Sequence, residues 1–399
     1  MSRVFKNGFL LVLALQFLSC NGQINKNRTS TLSEDFDKSP PFYYGIPKDL
    51  KSKDTSPVFK QNEKKMLLTG TVYQIDGKTP ASNVILYYYQ TDTNGIYATK
   101  ESEERNMPKN KLGQTHGYIR GWVKTDKQGK YLIYTIKPAT YPSRVEPAHI
   151  HLTIKDEIMN EPYYIDDFVF DNDPLLTTKK RLKMENRGGN GVIRFVEKDD
   201  ILIGERNIIL GLNIPNYPQQ STKLLRSGKN IGEDITSFTP LHAYGTDKGS
   251  TTCPICKYGW FHGILYFVGN NPDWDEIEKW LVFLDSESII KEKYLKVFFV
   301  YGNEIDYDET QRIMTLERLG IELDLQKVAL TFVSSFSDKT SDVYLNKINQ
   351  DVENTFLVYK RSNIIDKYIN LKPNQENFNK ITKRLNKTTN EYFKLSRPK

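Results

Sequence analysis

A chain of 399 residues, 38% of them hydrophobic and 12% aromatic, holds enough apolar material for more than one core, and its length points to two or three domains. Charged residues make up 26% and the net charge is +7, which excludes a strongly acidic or strongly basic polypeptide. With no basic stripe, helix-turn-helix or RNA-binding motif beside it, that small excess reads as a solvated surface and not as a nucleic-acid interface.

The N-terminus reads as an address. Arg3 and Lys6 precede an apolar run from Gly8 to Leu18, which ends Leu18-Ser19-Cys20. A charged start, a short apolar stretch and a small residue before the break make residues 1–20 a signal peptide, too short to span a bilayer as a mature helix. Cys20 directly after Ser19 is similar to a bacterial lipoprotein signal, in which the cysteine takes the lipid; Phe17 departs from the preferred leucine. The plainer alternative is an ordinary signal peptide with an incidental cysteine. The lipoprotein reading hangs the mature chain from a membrane through Cys20, outside the cytoplasm, in a bacterial periplasm or at an outer membrane. Residues 21–62, polar with little apolar periodicity, read as a flexible tether.

From 63 to 216 the pattern is all-β. Short apolar runs at 67–73, 84–89, 118–123, 131–136, 149–154, 163–170, 192–196 and 207–212 predict eight strands. Asp76-Gly77 and Gln128-Gly129 are hairpin signals, and Arg187-Gly188-Gly189-Asn190-Gly191 is a break. Such a series fits a β-sandwich. The charged, irregular stretch at 99–113 predicts a loop.

Within Pro147-Ala148-His149-Ile150-His151-Leu152, strand alternation puts His149 and His151 on one face and Ala148, Ile150 and Leu152 on the other. One face is fit for a core, and the other offers two imidazoles one pleat apart, suited to a single metal ion. A coincidental pair is the bland reading. The chain has five histidines, however, and two of them lie here.

Several segments in order carry a resemblance. Gly70-Thr71-Val72, Asp76-Gly77-Lys78, Arg120-Gly121-Trp122-Val123-Lys124-Thr125-Asp126, Gly129-Lys130-Tyr131, the run from Thr135 to Arg144, and P-A-H-I-H resemble the intradiol ring-cleavage dioxygenases, the catechol and protocatechuate 3,4-dioxygenase family. The likeness covers roughly residues 66 to 214. It implies a non-haem ferric iron, Fe(III), held by Tyr97, Tyr141, His149 and His151, with a catechol-type molecule and O2 as substrates and Tyr141 as the ligand that takes up a substrate proton. Hard ferric iron suits anionic oxygen donors, and a bound metal keeps phenols ionised at neutral pH. Where the family commonly has an arginine three residues before the first histidine, this chain has Glu146; Arg144, two residues earlier, is the candidate to serve instead. A non-catalytic surface module that keeps the sandwich and binds a ligand or partner is the competing reading, and a homo-oligomer stays open. His116 reads as a loop or strand-end residue, with substrate contact as the sharper alternative.

Residues 217–244, with Pro218, Gln219, Gln220, Ser221 and Gly228, read as a linker. Beyond it, 245–399 changes class. Strands at 263–268 and 297–300 enclose a helix over 274–284; a helix over 309–319, a strand at 328–333, a hairpin at 355–360 and 364–369, and a helix over 376–393 follow. That order resembles a thioredoxin-like α/β domain. Cys253-Pro254-Ile255-Cys256 offers three readings: a redox pair, a structural or idle disulfide, or half of a metal site that lacks a second C-x-x-C. In thioredoxins such a pair follows a strand and opens a helix, whereas this one precedes the strand. His242 and His262 read as core or surface residues, and Trp122 and Trp280 as packing anchors. The differing textures make the halves separable units on this reading, so that a chain ending near residue 216 folds and binds iron alone.

Overall fold

The computed structural model describes residues 31–218 and 225–398. The expected signal peptide and Cys20, the expected site of lipid attachment, lie outside the described residues.

Among the described residues of the N-terminal half, alternation of apolar and polar side chains produces twelve strands: β1 Lys53–Thr55, β2 Lys65–Tyr73, β3 Ile85–Gln90, β4 Arg120–Lys124, β5 Lys130–Ile136, β6 His149–Lys155, β7 Tyr163–Tyr164, β8 Phe168–Phe170, β9 Val192–Ile193, β10 Val196–Lys198, β11 Ile201–Glu205 and β12 Ile208–Ile209. They form two sheets. One runs β1-β5-β2-β11-β10 with β12 beside β2; the other runs β4-β3-β6-β8-β9 with β7 beside β6. Met66, Leu68 and Ile133 from the first meet Leu86, Tyr88, Ile150 and Leu152 from the second, all fully buried. Each aliphatic side chain so buried contributes about 1.5–3 kcal/mol. This is the predicted sandwich. On β6 the alternation falls as the sequence requires, with Ala148, Ile150 and Leu152 in the core and His149 and His151 on the outer face.

Some boundaries differ. The run 163–170 breaks into β7 and β8 because the Asp166 carboxylate leaves the ladder to accept the amides of Asn186 and Arg187, at 2.9 and 3.1 Å. Strand β11 had no forecast, since its short run follows Asp199 and Asp200, which turn the chain with positive φ. A short helix, α1 Thr178–Lys183, also lay unforeseen.

The tether expectation gives way over its described part. Phe36 and Phe42 are buried, Trp122 Nε1 donates to the Phe42 carbonyl at 2.8 Å, and β1 pairs in parallel with β5. Asp54 pairs with Arg105 at 2.7 Å. These anchors are irregular and widely spaced, so no periodicity announced them. The linker expectation also narrows. Tyr217 is buried with its hydroxyl on Asp156, and Ile235 and Phe238 join the core of the second half.

That half adds β13 Leu241–Tyr244, α2 Pro254–Tyr258, β14 His262–Val268, α3 Trp274–Lys291, β15 Leu295–Tyr301, α4 Glu309–Glu322, β16 Ala329–Phe332, β17 Thr355–Lys360, β18 Asn363–Ile369 and α5 Gln375–Thr388. One sheet runs β13-β16-β15-β14-β17-β18, with β14, β15 and β16 parallel and the β17–β18 hairpin antiparallel. Helices start where Asp273, Asp308 and Asn374 cap them by accepting the amide three residues on. Trp280 is fully buried and donates to the Leu371 carbonyl at 3.1 Å. Cys253 and Cys256 are joined as a disulfide ahead of β14.

The two halves meet closely. Leu67, Val196 and Ile203, on the outer face of the first sheet, pack with Trp260, Tyr392 and Leu395. Glu205 accepts from Lys360 at 3.1 Å, from Arg361 at 2.7 Å and from Asn390. Asn190 donates its amide to the Gly232 carbonyl at 2.8 Å, and Lys78 pairs with Asp366 at 2.6 Å. Texture alone gave no sign of this interface, in which the second half covers apolar strand faces of the first.

Candidate metal centre

Three separate segments bring four side chains to one point. β6 delivers His149 and His151; the turn before it delivers Tyr141; a tight turn after β3 delivers Tyr97. That turn is closed by Asp92, whose carboxylate accepts the amides of Asn94 and Ile96 and whose carbonyl accepts from Ala139. Gly95 sits in it with φ +79°, and a β-carbon there would lie 2.0 Å from the Thr140 carbonyl oxygen. Only glycine lets the two tyrosine-bearing segments approach so closely. Gly95→Ala is therefore expected to cut metal affinity by about ten- to a hundredfold while the sandwich still folds, the scale a displaced supporting group costs. Iron uptake against a competing chelator, with circular dichroism as the folding control, checks it; wild-type affinity would count against this construction.

The donor atoms converge. Tyr97 Oη lies 2.5 Å from Tyr141 Oη and 2.9 Å from His151 Nε2. Tyr141 Oη is 3.2 Å from His149 Nε2 and 3.3 Å from His151 Nε2, and the two Nε2 atoms are 3.1 Å apart. Donors sharing one ion at about 2 Å are themselves separated by roughly 3 Å.

The protons say more than the distances. His149 Nδ1 faces the Pro147 carbonyl at 2.8 Å, and His151 Nδ1 faces the Asp167 carboxylate at 3.1 Å. Both partners only accept, so each Nδ1 carries the hydrogen and each Nε2 presents a lone pair. Protonated, Tyr97 Oη can donate to His151 Nε2 at 2.9 Å and Tyr141 Oη to His149 Nε2 at 3.2 Å; once the phenols lose those protons, the four donors repel unless a cation lies among them. Among the described residues, His149, His151 and Asp167 also form the one group of histidine and acidic side chains spaced to hold a metal. Asp167 escaped the sequence reading, although an acidic residue inside an apolar strand run was the available signal. Burial opposes its ionisation, but His151 prevails and holds the carboxyl below its ordinary range. It orients the imidazole from behind, as carboxylates behind metal-bound histidines do.

Burial pushes the Tyr97 and Tyr141 phenols above their ordinary range, and the hydrogen bond to Tyr141 adds to the rise at Tyr97. Burial lowers His149, which keeps it neutral. A neutral His149 is thus ready as a ligand, whereas the phenols ionise only when a cation repays the cost.

Arg144 is not brought to this point. It is exposed in the turn after Tyr141, with φ +52° and its amide on the Tyr141 carbonyl at 2.8 Å. Glu146 is likewise exposed and pairs with Lys180 at 3.2 Å. Neither the expected substitute arginine nor the unwelcome carboxylate therefore faces the donors. In front of the donors opens a cleft of about 460 Å³, lined by Tyr89, Ile96, Lys109, His116 and Tyr164 together with Tyr97, Tyr141 and His151. Its size suits a small molecule. The loop at 99–113 contributes Lys109 and Gly113 to it.

Residues 38–187 match the family model described as Dioxygenase. This segment resembles that family. The match begins inside the stretch that composition marked as a tether and takes in all four donor residues. Solved structures similar to the chain include the dioxygenase domain of a dioxygenase–carbohydrate-binding fusion from Streptomyces sp. SirexAA-E, at 18% identity over 41% of this chain and 91% of that one, with TM-score 0.31. Others are a 3-chlorocatechol 1,2-dioxygenase from Rhodococcus opacus 1CP (18%, 41% and 67%, TM-score 0.30) and a hydroxyquinol 1,2-dioxygenase from Pseudomonas putida DLL-E4 (19%, 47% and 68%, TM-score 0.31).

Proposed function

We propose that this protein is a ferric-iron-dependent intradiol dioxygenase, which cleaves a catechol-type ring between its adjacent hydroxyls and places both atoms of O2 in a cis,cis-muconate-type diacid. The observation that carries the reading is the meeting of two phenol oxygens with two imidazole lone pairs at the floor of an aromatic cleft. Tyr97, Tyr141, His149 and His151 hold the ion. When bound, ferric iron supplies Lewis acidity and a template for a deprotonated catechol.

The remaining work belongs to the chain. Pro147 and Asp167 keep both imidazoles aimed. Tyr89 and Tyr164 give the ring aromatic surface and narrow the room for water. Tyr141, which lines the cleft and touches the other three donors, is the group placed to accept a substrate proton at its oxygen. Turnover of catechol under labelled O2 is expected to give a diacid carrying two labels. A product with one label, or none, rules the activity out.

We assign the second half to the thioredoxin-like α/β class, on the β14-α3-β15 order and the closing β17–β18 hairpin. Cys253 caps the short helix α2, which lies between β13 and β14, so the pair opens a helix of its own ahead of β14 and not the long helix α3. The chain is further proposed to be an extracytoplasmic lipoprotein anchored through Cys20. Cys20→Ser is expected to move it wholly to the soluble fraction and to remove the mass of the lipid; unchanged fractionation and mass would falsify the anchor.

A further inference from the structure

His116 is almost fully buried, yet it lines the cleft in front of the metal donors. Its loop is rigidly set. Thr115 Oγ1 donates to the Met107 carbonyl and accepts from the Gly117 amide. Gly117 has φ +64°, and a β-carbon there would lie 2.4 Å from the Ala98 carbonyl oxygen. The imidazole lies parallel to the Tyr89 ring, 3.5 Å away with a 3° tilt. His151 stacks on Tyr89 as well, at 4.5 Å and 26°. Two imidazoles cannot share one face of a phenol at those distances, so Tyr89 stands between them and holds His116 one ring beyond the donor His151.

Its hydrogen bonding is one-sided. Tyr87 Oη lies 2.8 Å from His116 Nδ1. The buried Arg120 guanidinium donates to the same hydroxyl at 3.5 Å, which leaves the phenol proton to point at Nδ1. Burial keeps Tyr87 protonated, pushed up to about 12, and holds His116 neutral, down at about 2. With Nδ1 accepting, Nε2 must carry the hydrogen. Among the described residues no group hydrogen-bonds to Nε2, and it is not a fully enclosed atom. An N–H open to the cleft bonds to water until a ligand displaces it, so the cleft offers this donor to an incoming oxygen.

We propose that His116 is the specificity-determining residue of this cleft: its Nε2–H donates to an oxygen substituent on the substrate ring, beyond the two adjacent hydroxyls, with Tyr87 and Arg120 as positioning residues behind it. Lys109, exposed at the rim of the same cleft, adds a cation on the side from which a charged substituent enters. The preferred ligands are dihydroxyarenes that carry a further hydroxyl or a carboxylate. This inference rests on the catechol-cleavage reading of the same site.

The test is a spectroscopic titration of the ferric full chain with three probes: catechol, 1,2,4-trihydroxybenzene and 3,4-dihydroxybenzoate. An oxygen-bearing ring is expected to bind at least about tenfold more tightly than catechol, the scale of one hydrogen bond in a closed site. His116→Phe collapses that ratio towards one, and His116→Gln, which keeps an N–H, restores part of it. The better of the two substituted probes tells hydroxyl from carboxylate. Equal affinity for all three probes in the wild type, or a ratio untouched in His116→Phe with the ferric band intact, overturns the assignment alone. A wild-type chain that takes up no iron overturns the underlying reading and this inference with it.

Discussion

A chain cut after residue 218 is expected not to fold to a soluble monomer, and Glu205→Ala in the full chain is expected to cost about 3 kcal/mol, the scale of breaking a buried ion pair from one side. Truncation uncovers Leu67, Val196 and Ile203 on the outer face of the first sheet, where Trp260, Tyr392 and Leu395 now cover them. An exposed apolar sheet face of that kind is an aggregation hazard. Glu205 answers two cations at once, so removing its carboxylate leaves Lys360 and Arg361 facing each other without a counter-charge. Burial raises the Glu205 carboxyl, but Lys360 and Arg361 outweigh it and hold the group below the usual carboxylate range. A group lowered on folding stabilises above its ordinary value, near about 4.3, and that gain is lost as pH falls through the folded value. The cost of Glu205→Ala is therefore full at neutral pH and shrinks in acid. Urea unfolding of wild type and variant at pH 7 and pH 4, followed by two probes, checks it. A soluble, cooperatively folding fragment 31–218 would show instead that the halves are independent.

The chemistry in this chain was more legible than its architecture. Period-two alternation fixed which face His149 and His151 share, and β6 obeys it because Ile150 and Leu152 gain too much by burial for a one-residue slip. Tyr97 was one tyrosine among 24, and it came only from the order of motifs. No periodicity marks a residue in a turn, and what sets this one is the close approach at Gly95. Asp167 and Tyr87 were illegible for another reason: each works through a partner far away in sequence, His151 and His116, and one-dimensional spacing holds no trace of such pairs. The segment at 36–55 deceived by composition. A polar stretch with a few aromatics looks like a tether until Phe42 meets Trp122 and β1 finds the edge of β5. The second half was read well where helices carry capping residues and strands are fully apolar, and poorly at β13, a short edge strand with a histidine in it.

The second large effect concerns iron uptake and pH. Both phenols are raised by burial and hold their protons at neutral pH, whereas His149 is lowered and has none to release. Binding an ion among them must expel two phenol protons, so apparent affinity climbs with pH, by up to about a hundredfold per unit. The direction is fixed by the sign of the shifts: acid favours the empty, protonated pair, and alkali favours the loaded one. Competition with a chelator of known pH behaviour, between pH 5.5 and 7.5, measures the slope. Tyr141→Phe removes one of the two protons and is expected to halve that slope on a logarithmic scale.

The most direct measurement is a ferric titration of the purified full chain, followed at once by visible absorbance and by proton release. The expected result is one iron per chain, an intense phenolate-to-ferric band that saturates at that ratio, and two protons released; Tyr141→Phe weakens and shifts the band, and His149→Ala abolishes tight uptake. A chain that stays colourless under these conditions, or one that binds iron without releasing phenol protons, would contradict the assignment of Tyr97, Tyr141, His149 and His151 as the metal centre.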